Sequence, residues 1–366
     1  MVDKKHSFEI RRRTFLELGA GATAAALFSS ASSSRADVPK IGFALETFQI
    51  PRWKYLDYAN FKKAVEGAGM ELIAVQPDSD AAKQLAQVQD LITSGCKAIA
   101  IAAVVGKAGV AMVRACKKAG VPVIAYNTAI PSADVAAFLS RDTYRVGQMA
   151  MEAAASAGVL KGNWVIVSGE PGTSIAEEQT KAYLDGLDPL IKNGSVKLVS
   201  HQYHTGWSAE GARSQVENAL TATNNDIQGV LCNNDQMAIG CLVALQKAGV
   251  AGKVFLNGLD ATTEACRAIE KGEMTLSAFT KADEMGRIGG EMCVKLAKGE
   301  SLGITKTYDA GDGIVLPWYP IDSINVVKDN MVPYLKGYSP FYVDAKAVFK
   351  DVPQDKLPQG AAELLK

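Results

Sequence analysis

Phe48, Arg52, Trp53, Trp207, Asn234 and Asp260 are the side chains whose types and places suggest chemistry. Aromatic faces pack against the C–H faces of a sugar, while planar polar groups bind its hydroxyls. Arg52 and Trp53 follow the loop after the first apolar run, with Phe48 close in sequence, and Trp207 follows Gly206 ahead of a helical pattern. Asn234 stands at the end of an apolar run, where an amide can both donate and accept toward one hydroxyl pair. Asp260 ends the run Val254-Phe255-Leu256-Asn257-Gly258-Leu259 and can accept from two vicinal hydroxyls. Plainer readings stand beside these: Asp235 and Asp260 can each cap a helix, and either Trp can fill a core. Trp164 inside a strand and Trp318 between prolines read as core residues.

Catalytic chemistry is thin. The chain has 3 His. His201 and His204 are three apart, but no Cys lies near them and the nearest carboxylate is Glu210, so no metal site is completed. Gly169-Glu170-Pro171-Gly172-Thr173-Ser174 sits between a strand and a helix and could hold an anion on helix N–H groups. It lacks the Lys of a phosphate-binding P-loop. No serine elbow is present. The reading is a binding protein, not an enzyme, with no cofactor and no metal.

Strands and helices must position these side chains. Apolar runs at Ile41–Leu45, Leu72–Val75, Ala98–Ala103, Val121–Ala125, Trp164–Val167, Val196–Val199, Gly229–Leu231 and Val254–Leu256 alternate with longer amphipathic stretches. That alternation implies parallel sheets with helices on both faces, α/β in class. Gly69, Gly95, Gly120 and Gly249 are placed to end helices, and Asp80 and Ser208 to start them. The rhythm stalls near Ile130–Asp142 and near Thr280, which suggests two sheets joined more than once. In such sheets ligands sit at the carboxyl ends of strands. Those ends, including Tyr126–Thr128 and Arg141–Asp142, are rich in amides, carboxylates and aromatics.

Lys+Arg and Asp+Glu are both 39 among 366 residues, so a nucleic-acid footprint is absent. The first 36 residues read as an export signal: Arg12-Arg13-Thr14-Phe15-Leu16, a weakly apolar run to Phe28, serines, and Ser34-Arg35-Ala36. The arginine pair resembles a twin-arginine signal. Cleavage is expected after Ala36, and a soluble exported chain fits a periplasm. The six Cys fall mostly among apolar residues and read as core thiols, with a Cys96–Cys116 disulfide as a minor alternative.

The segments Pro51-Arg52-Trp53, Ser140-Arg141-Asp142-Thr143-Tyr144-Arg145-Val146-Gly147, Gly206-Trp207, Glu217–Asn225, Asn234-Asp235 and Gly258-Leu259-Asp260 occur in an order that resembles the periplasmic sugar-binding proteins of bacterial ABC importers, nearest to the xylose-binding branch. The resemblance spans about Lys40 to Lys328. It implies two Rossmann-like lobes joined by three crossings, with the ligand between them. The implied bounds are lobe 1 at 37–141 plus 281–312, lobe 2 at 142–280 plus 313–330, and a C-terminal extension at 331–366 that wraps one lobe.

The resemblance assigns Arg52 to a hydrogen bond with the sugar, Trp53 and Trp207 to a sandwich around it, and Asn234 and Asp260 to its hydroxyls. Asp142 is implied near the first crossing. Where xylose binders carry an Asp-Arg pair, this chain has Asn127-Thr128. Where they carry an Asp, it has Thr173, followed by Ser174. At the hinge it has Thr280, with Lys281 next. Charged groups are thus replaced by neutral ones, which points to a rarer pentose, a hexose or an open-chain polyol. Implied partners are a permease and an ATPase subunit, with the binding protein itself a monomer. Carriage of a signalling furanose, or presentation to a chemoreceptor, is the alternative.

Overall fold

Side chains of Asp80, Asp142, Thr173, Ser208, Asn234 and Thr262 each accept a backbone N–H at the start of a helix, satisfying donors that the helix itself leaves free. Gly69, Gly95, Gly120 and Gly249 stand just past helix ends at φ of 76°, 82°, 70° and 71°. The structure, a computed structural model, describes residues 38–366. The export signal read over residues 1–36 lies outside the described residues.

Along the chain come β1 (Lys40–Ala44), a six-residue π-helical turn (Trp53–Tyr58), α1 (Ala59–Gly67), β2 (Glu71–Val75), α2 (Ala81–Thr93), β3 (Cys96–Ile101), α3 (Gly106–Lys118), β4 (Val123–Tyr126) and β5 (Ala137–Arg141). Then come α4 (Thr143–Ser156), β6 (Gly162–Ser168), α5 (Ser174–Lys192), β7 (Val196–Tyr203), α6 (Ala209–Ala222), β8 (Gly229–Cys232), α7 (Asp235–Lys247), β9 (Phe255–Leu259), α8 (Thr263–Glu270) and β10 (Leu276–Thr280). The remainder is α9 (Ala282–Ala297), β11 (Thr307–Asp309), β12 (Val315–Ile321), β13 (Ser323–Val326), α10 (Met331–Tyr338), α11 (Ala345–Val348) and α12 (Ala361–Leu364).

Two sheets result. The first has seven strands in the order β11-β12-β5-β4-β3-β1-β2, and the second six in the order β13-β10-β9-β8-β6-β7. Pairing is parallel except where β11 meets β12 and β13 meets β10. Strands such as β4, β8, β9 and β10 are buried along their whole length, because helices cover both faces. The chain passes between sheets after Arg141, after Thr280 and at Asp322. The third boundary corrects the expected one: residues 315–321 pair with β5 in the first sheet, so the last crossing falls between Ile321 and Ser323, not at 312/313. The run Pro317-Trp318-Tyr319-Pro320 hid a strand, since β12 bonds on one side to β5 and on the other only briefly to β11.

The C-terminal segment packs on the second lobe. Met331, Tyr334, Leu335, Tyr342, Val343, Val348 and Phe349 join the core made by α6, α7, α8 and Phe279. All six cysteines are buried free thiols. No helix among the described residues is long and apolar enough to cross a membrane.

Helix contact sets the second lobe's geometry at Gly147. A Cβ built there would lie 2.6 Å from Ala182 Cβ and 2.7 Å from the Gln179 carbonyl oxygen. Gly147→Val is therefore expected to destabilise the fold by roughly 1–3 kcal/mol, read as a lower urea midpoint with an unchanged m-value; an unchanged midpoint would refute the close packing of α4 on α5.

Candidate functional site

The cleft between the lobes is built first by the loop and π-helical turn after β1. A π turn carries one residue more than an α turn and aligns positions five apart. Arg52 and Asp57 are so spaced, and Arg52 donates from Nε to Asp57 Oδ2 at 3.0 Å and from Nη2 to Oδ1 at 3.2 Å. Tyr126 Oη donates to the same Oδ1 at 2.6 Å. Arg52 Nη2 also reaches Asn127 Oδ1 at 3.1 Å, and its guanidinium lies 4.9 Å from the Trp53 ring centre. Asn127 takes φ 63°, a left-handed conformation that Asn tolerates, and so turns its amide back toward Arg52. Trp53 is only 3 % exposed and packs into the first lobe's core beside Tyr126. Arg52 is thus fixed by its own lobe before any ligand meets it.

The hinge contributes a second guanidinium. Arg141, the last residue of β5, is 5 % exposed. Its Nη1 donates to Thr280 Oγ1 at 3.4 Å, and Thr280 Oγ1 lies 3.3 Å from Ser323 Oγ, so all three crossings meet there. Arg141 Nε is buried without a protein partner. Burial lowers the Arg141 pKa to about 10, aided by repulsion from Arg52 and opposed by Asp260, Asp57 and Glu178.

Asp260 faces these groups from the second lobe. Desolvation raises its carboxyl, against the pull of Arg141 and Arg52. Its N–H donates to the Ala278 carbonyl at 2.7 Å, and its φ of 108° turns the chain sharply out of β9. Asp235 lies behind it, accepting from Ser277 Oγ at 2.6 Å and from the Thr262 N–H at 2.7 Å. Burial, with Asp260 adding to it, pushes the Asp235 carboxyl up to about 8. The Trp207 ring lies over Gly169 at the end of β6, where a Cβ would come within 2.0 Å of it.

Several expected site residues make local hydrogen bonds or contacts. Asn234, read as a hydroxyl ligand, caps α7 by accepting the Met237 N–H at 2.9 Å. Asp235 is the buried carboxylate, and Thr262, rather than Asp260, caps α8. Thr173 caps α5, and its hydroxyl donates to the Glu170 carbonyl at 2.9 Å. Asp142 caps α4 through the Arg145 N–H at 2.9 Å. Lys281 opens α9 through its backbone, with its N–H to the Asp322 carbonyl at 3.3 Å. Phe48 packs edge-on to Tyr58 at 5.2 Å, and Thr128 is buried beside Asn127. Ser174 begins α5 and is partly buried.

From sequence, Glu46, Tyr126 and Arg141 stand among the strand ends without an assigned role, and Asp57 and Glu178 are not singled out. The five-residue spacing of Arg52 and Asp57 and the place of Arg141 at a strand end were the available signals. Glu46 follows β1, and desolvation raises its carboxyl while Arg52 lowers it. Glu178 on α5 accepts from Tyr308 Oη on β11, joining the two lobes, and desolvation lifts it to about 7.

A family model described as the periplasmic binding protein domain matches residues 41–301. The chain belongs to this family. It is 30% identical over 306 residues to a D-xylose-binding periplasmic protein of Haemophilus influenzae, covering 83% of this chain and 90% of that one. It is 26% identical over 264 residues to a xylitol-binding protein of Mycolicibacterium smegmatis, with 72% of each chain covered. An ABC transporter solute-binding protein from Clostridium phytofermentans, solved with bound β-D-glucose, superimposes with a TM-score of 0.73 at 24% identity, covering 87% of this chain and all of that one. The family is one of binding proteins, and the chain is not an enzyme.

Two predictions follow from the buried charges and the Trp207 seat. Between the usual carboxyl value of 3.8 and about 8, native Asp235 holds a proton that the unfolded chain has released. Stability therefore falls as pH rises through that window. Urea midpoints should decline from pH 5 to 8.5, and the decline should flatten in Asp235→Asn; an equally steep decline in that variant would refute the assignment. Gly169→Ala should displace Trp207 and change the tryptophan emission of the folded protein, whereas an unaltered spectrum would contradict the close seat.

Proposed function

We propose that this protein is the periplasmic solute-binding component of an ABC importer. Exported with its N-terminal signal by the twin-arginine route, it captures a monosaccharide or sugar alcohol between its lobes and delivers it to a membrane permease driven by an ATPase subunit. The observation that carries this reading is the meeting of Arg52 from one lobe, Asp260 from the other and Arg141 from the hinge within one electrostatic neighbourhood. Together they offer fixed donors and an acceptor, the complement of a polyhydroxylated neutral solute. Family membership and the D-xylose- and xylitol-binding relatives support the solute class.

A ligand touching both lobes and the hinge at once binds the closed arrangement better than the open one, which is the only way it can shift their equilibrium. Asn127 and Thr128 present neutral groups where the xylose-binding branch is charged, while Arg141, in a segment shared with that branch, supplies charge at the hinge. Its unpartnered Nε suits a hydroxyl oxygen of the solute. The neutral pair Asn127-Thr128 supports a solute other than D-xylose in its usual ring form.

A thermal-shift screen with D-xylose, D-ribose, D-glucose, D-allose, xylitol, glycerol and myo-inositol tests this reading. A true ligand at a hundred times its Kd should add about 2.7 kcal/mol of stability. Arg141→Met and Asp260→Asn should each abolish most of that shift, since a charged hydrogen bond contributes about 1.5–3 kcal/mol. No shift with any of the seven, or an undiminished shift in both variants, would overturn it.

A further inference from the structure

Asp260 and Ala261 both adopt positive φ, at 108° and 50°, a conformation that side-chain-bearing residues rarely keep without outside support. Their two carbonyls are held from the C-terminal segment. Tyr342 Oη donates to the Asp260 carbonyl at 2.6 Å, and Tyr334 Oη to the Ala261 carbonyl at 2.8 Å. Both rings are buried and lie against Phe279, with centroids 5.9 Å and 5.1 Å away, one residue before the hinge residue Thr280. Tyr338, between them in sequence, packs at 4.5 Å on the same Phe279 and donates to Asp283 on α9, beyond the second crossing.

The segment is itself anchored to the second lobe. Asp344 donates its N–H to Thr263 Oγ1 at 3.0 Å, and Asp351 pairs with Arg267 and with Lys271. Three phenols of residues 331–366 thus end on the backbone of residues 260 and 261 and on the hinge-side helix.

We propose that the C-terminal segment is a strap that sets the ligand affinity of the cleft, with Tyr342 and Tyr334 as positioning residues for Asp260. The proposal rests on the reading of Asp260 as a ligand-binding carboxylate. The strained turn points that carboxylate toward Arg52 and Arg141, and the two phenols select this conformation from the alternatives open to residues 260–261. A carboxylate held in advance loses less conformational freedom when the solute arrives. Tyr338 ties the same strap to the hinge, so strap and closure are coupled.

The test uses the full chain and the variants Tyr342→Phe, Tyr334→Phe, their double, and Asp260→Asn. Tryptophan fluorescence titrations with D-xylose, xylitol and D-glucose give affinities, and amide exchange reports residues 261 and 262, whose N–H groups donate to Ser277 Oγ and Asp235 Oδ2. Each Phe variant should weaken the tightest of the three solutes about tenfold, the equivalent of one buried hydrogen bond. Exchange at 261–262 should quicken while the first lobe's sheet stays unchanged. Loss of binding in Asp260→Asn with full affinity in both Phe variants overturns the proposal and leaves the binding reading standing. Parent-like binding in Asp260→Asn removes the carboxylate's role and the proposal with it. Should none of the three solutes bind the parent, unchanged exchange in the double variant overturns the proposal and quickened exchange supports it.

Discussion

Keeping two guanidinium groups out of bulk water in one cleft is the constraint on which the rest of this structure depends. An isolated buried charge is prohibitively costly, so each must be paired or hydrogen-bonded. Arg52 meets the requirement inside its own lobe. Asp57, Tyr126 and Asn127 surround it, and the π turn exists where Arg52 and Asp57 must share a face. Arg141 meets it across lobes, through Thr280 at the hinge and the field of Asp260 and Glu178. One charge is therefore held within its own lobe, and the other where the two lobes meet.

The second lobe answers with carboxylates placed at different depths. Asp235 is buried beside the turn at 260–262, where it accepts from the Thr262 N–H and from Ser277 Oγ. Asp260 stands one layer nearer the arginines. The same turn is held from behind by phenols of the C-terminal segment. Asp260, its turn and the two phenols thus form one hydrogen-bonded unit. Glu178 and Tyr308 make a second bridge between the lobes.

The alternation of apolar runs and amphipathic stretches determined the class of fold, because parallel strands covered on both faces must read as short apolar runs. Eight strands and the helices between them were legible on that ground, as were the glycine ends and the caps at Asp80 and Ser208. β5 and β10 were not, since their ends carry Arg141 and Thr280, polar residues that the cleft needs and that interrupt the apolar pattern. β12 was obscured by its prolines.

Sequence also determined the family and the identity of Arg52, Trp53, Trp207 and Asp260 as residues at strand ends. It did not decide which polar group at a strand end faces the cleft and which caps a helix. Asn234, Thr173 and Asp142 each have the chemistry for either task, and in the structure each accepts a backbone N–H of the helix that follows. The contacts of Arg141 and Tyr342 were decided by tertiary structure alone. Their partners lie 139 and 82 residues away in the chain, a separation at which no local pattern constrains the contact. The periodicity of apolar residues fixes what is buried; the direction of a buried polar side chain depends on what arrives from elsewhere to satisfy it.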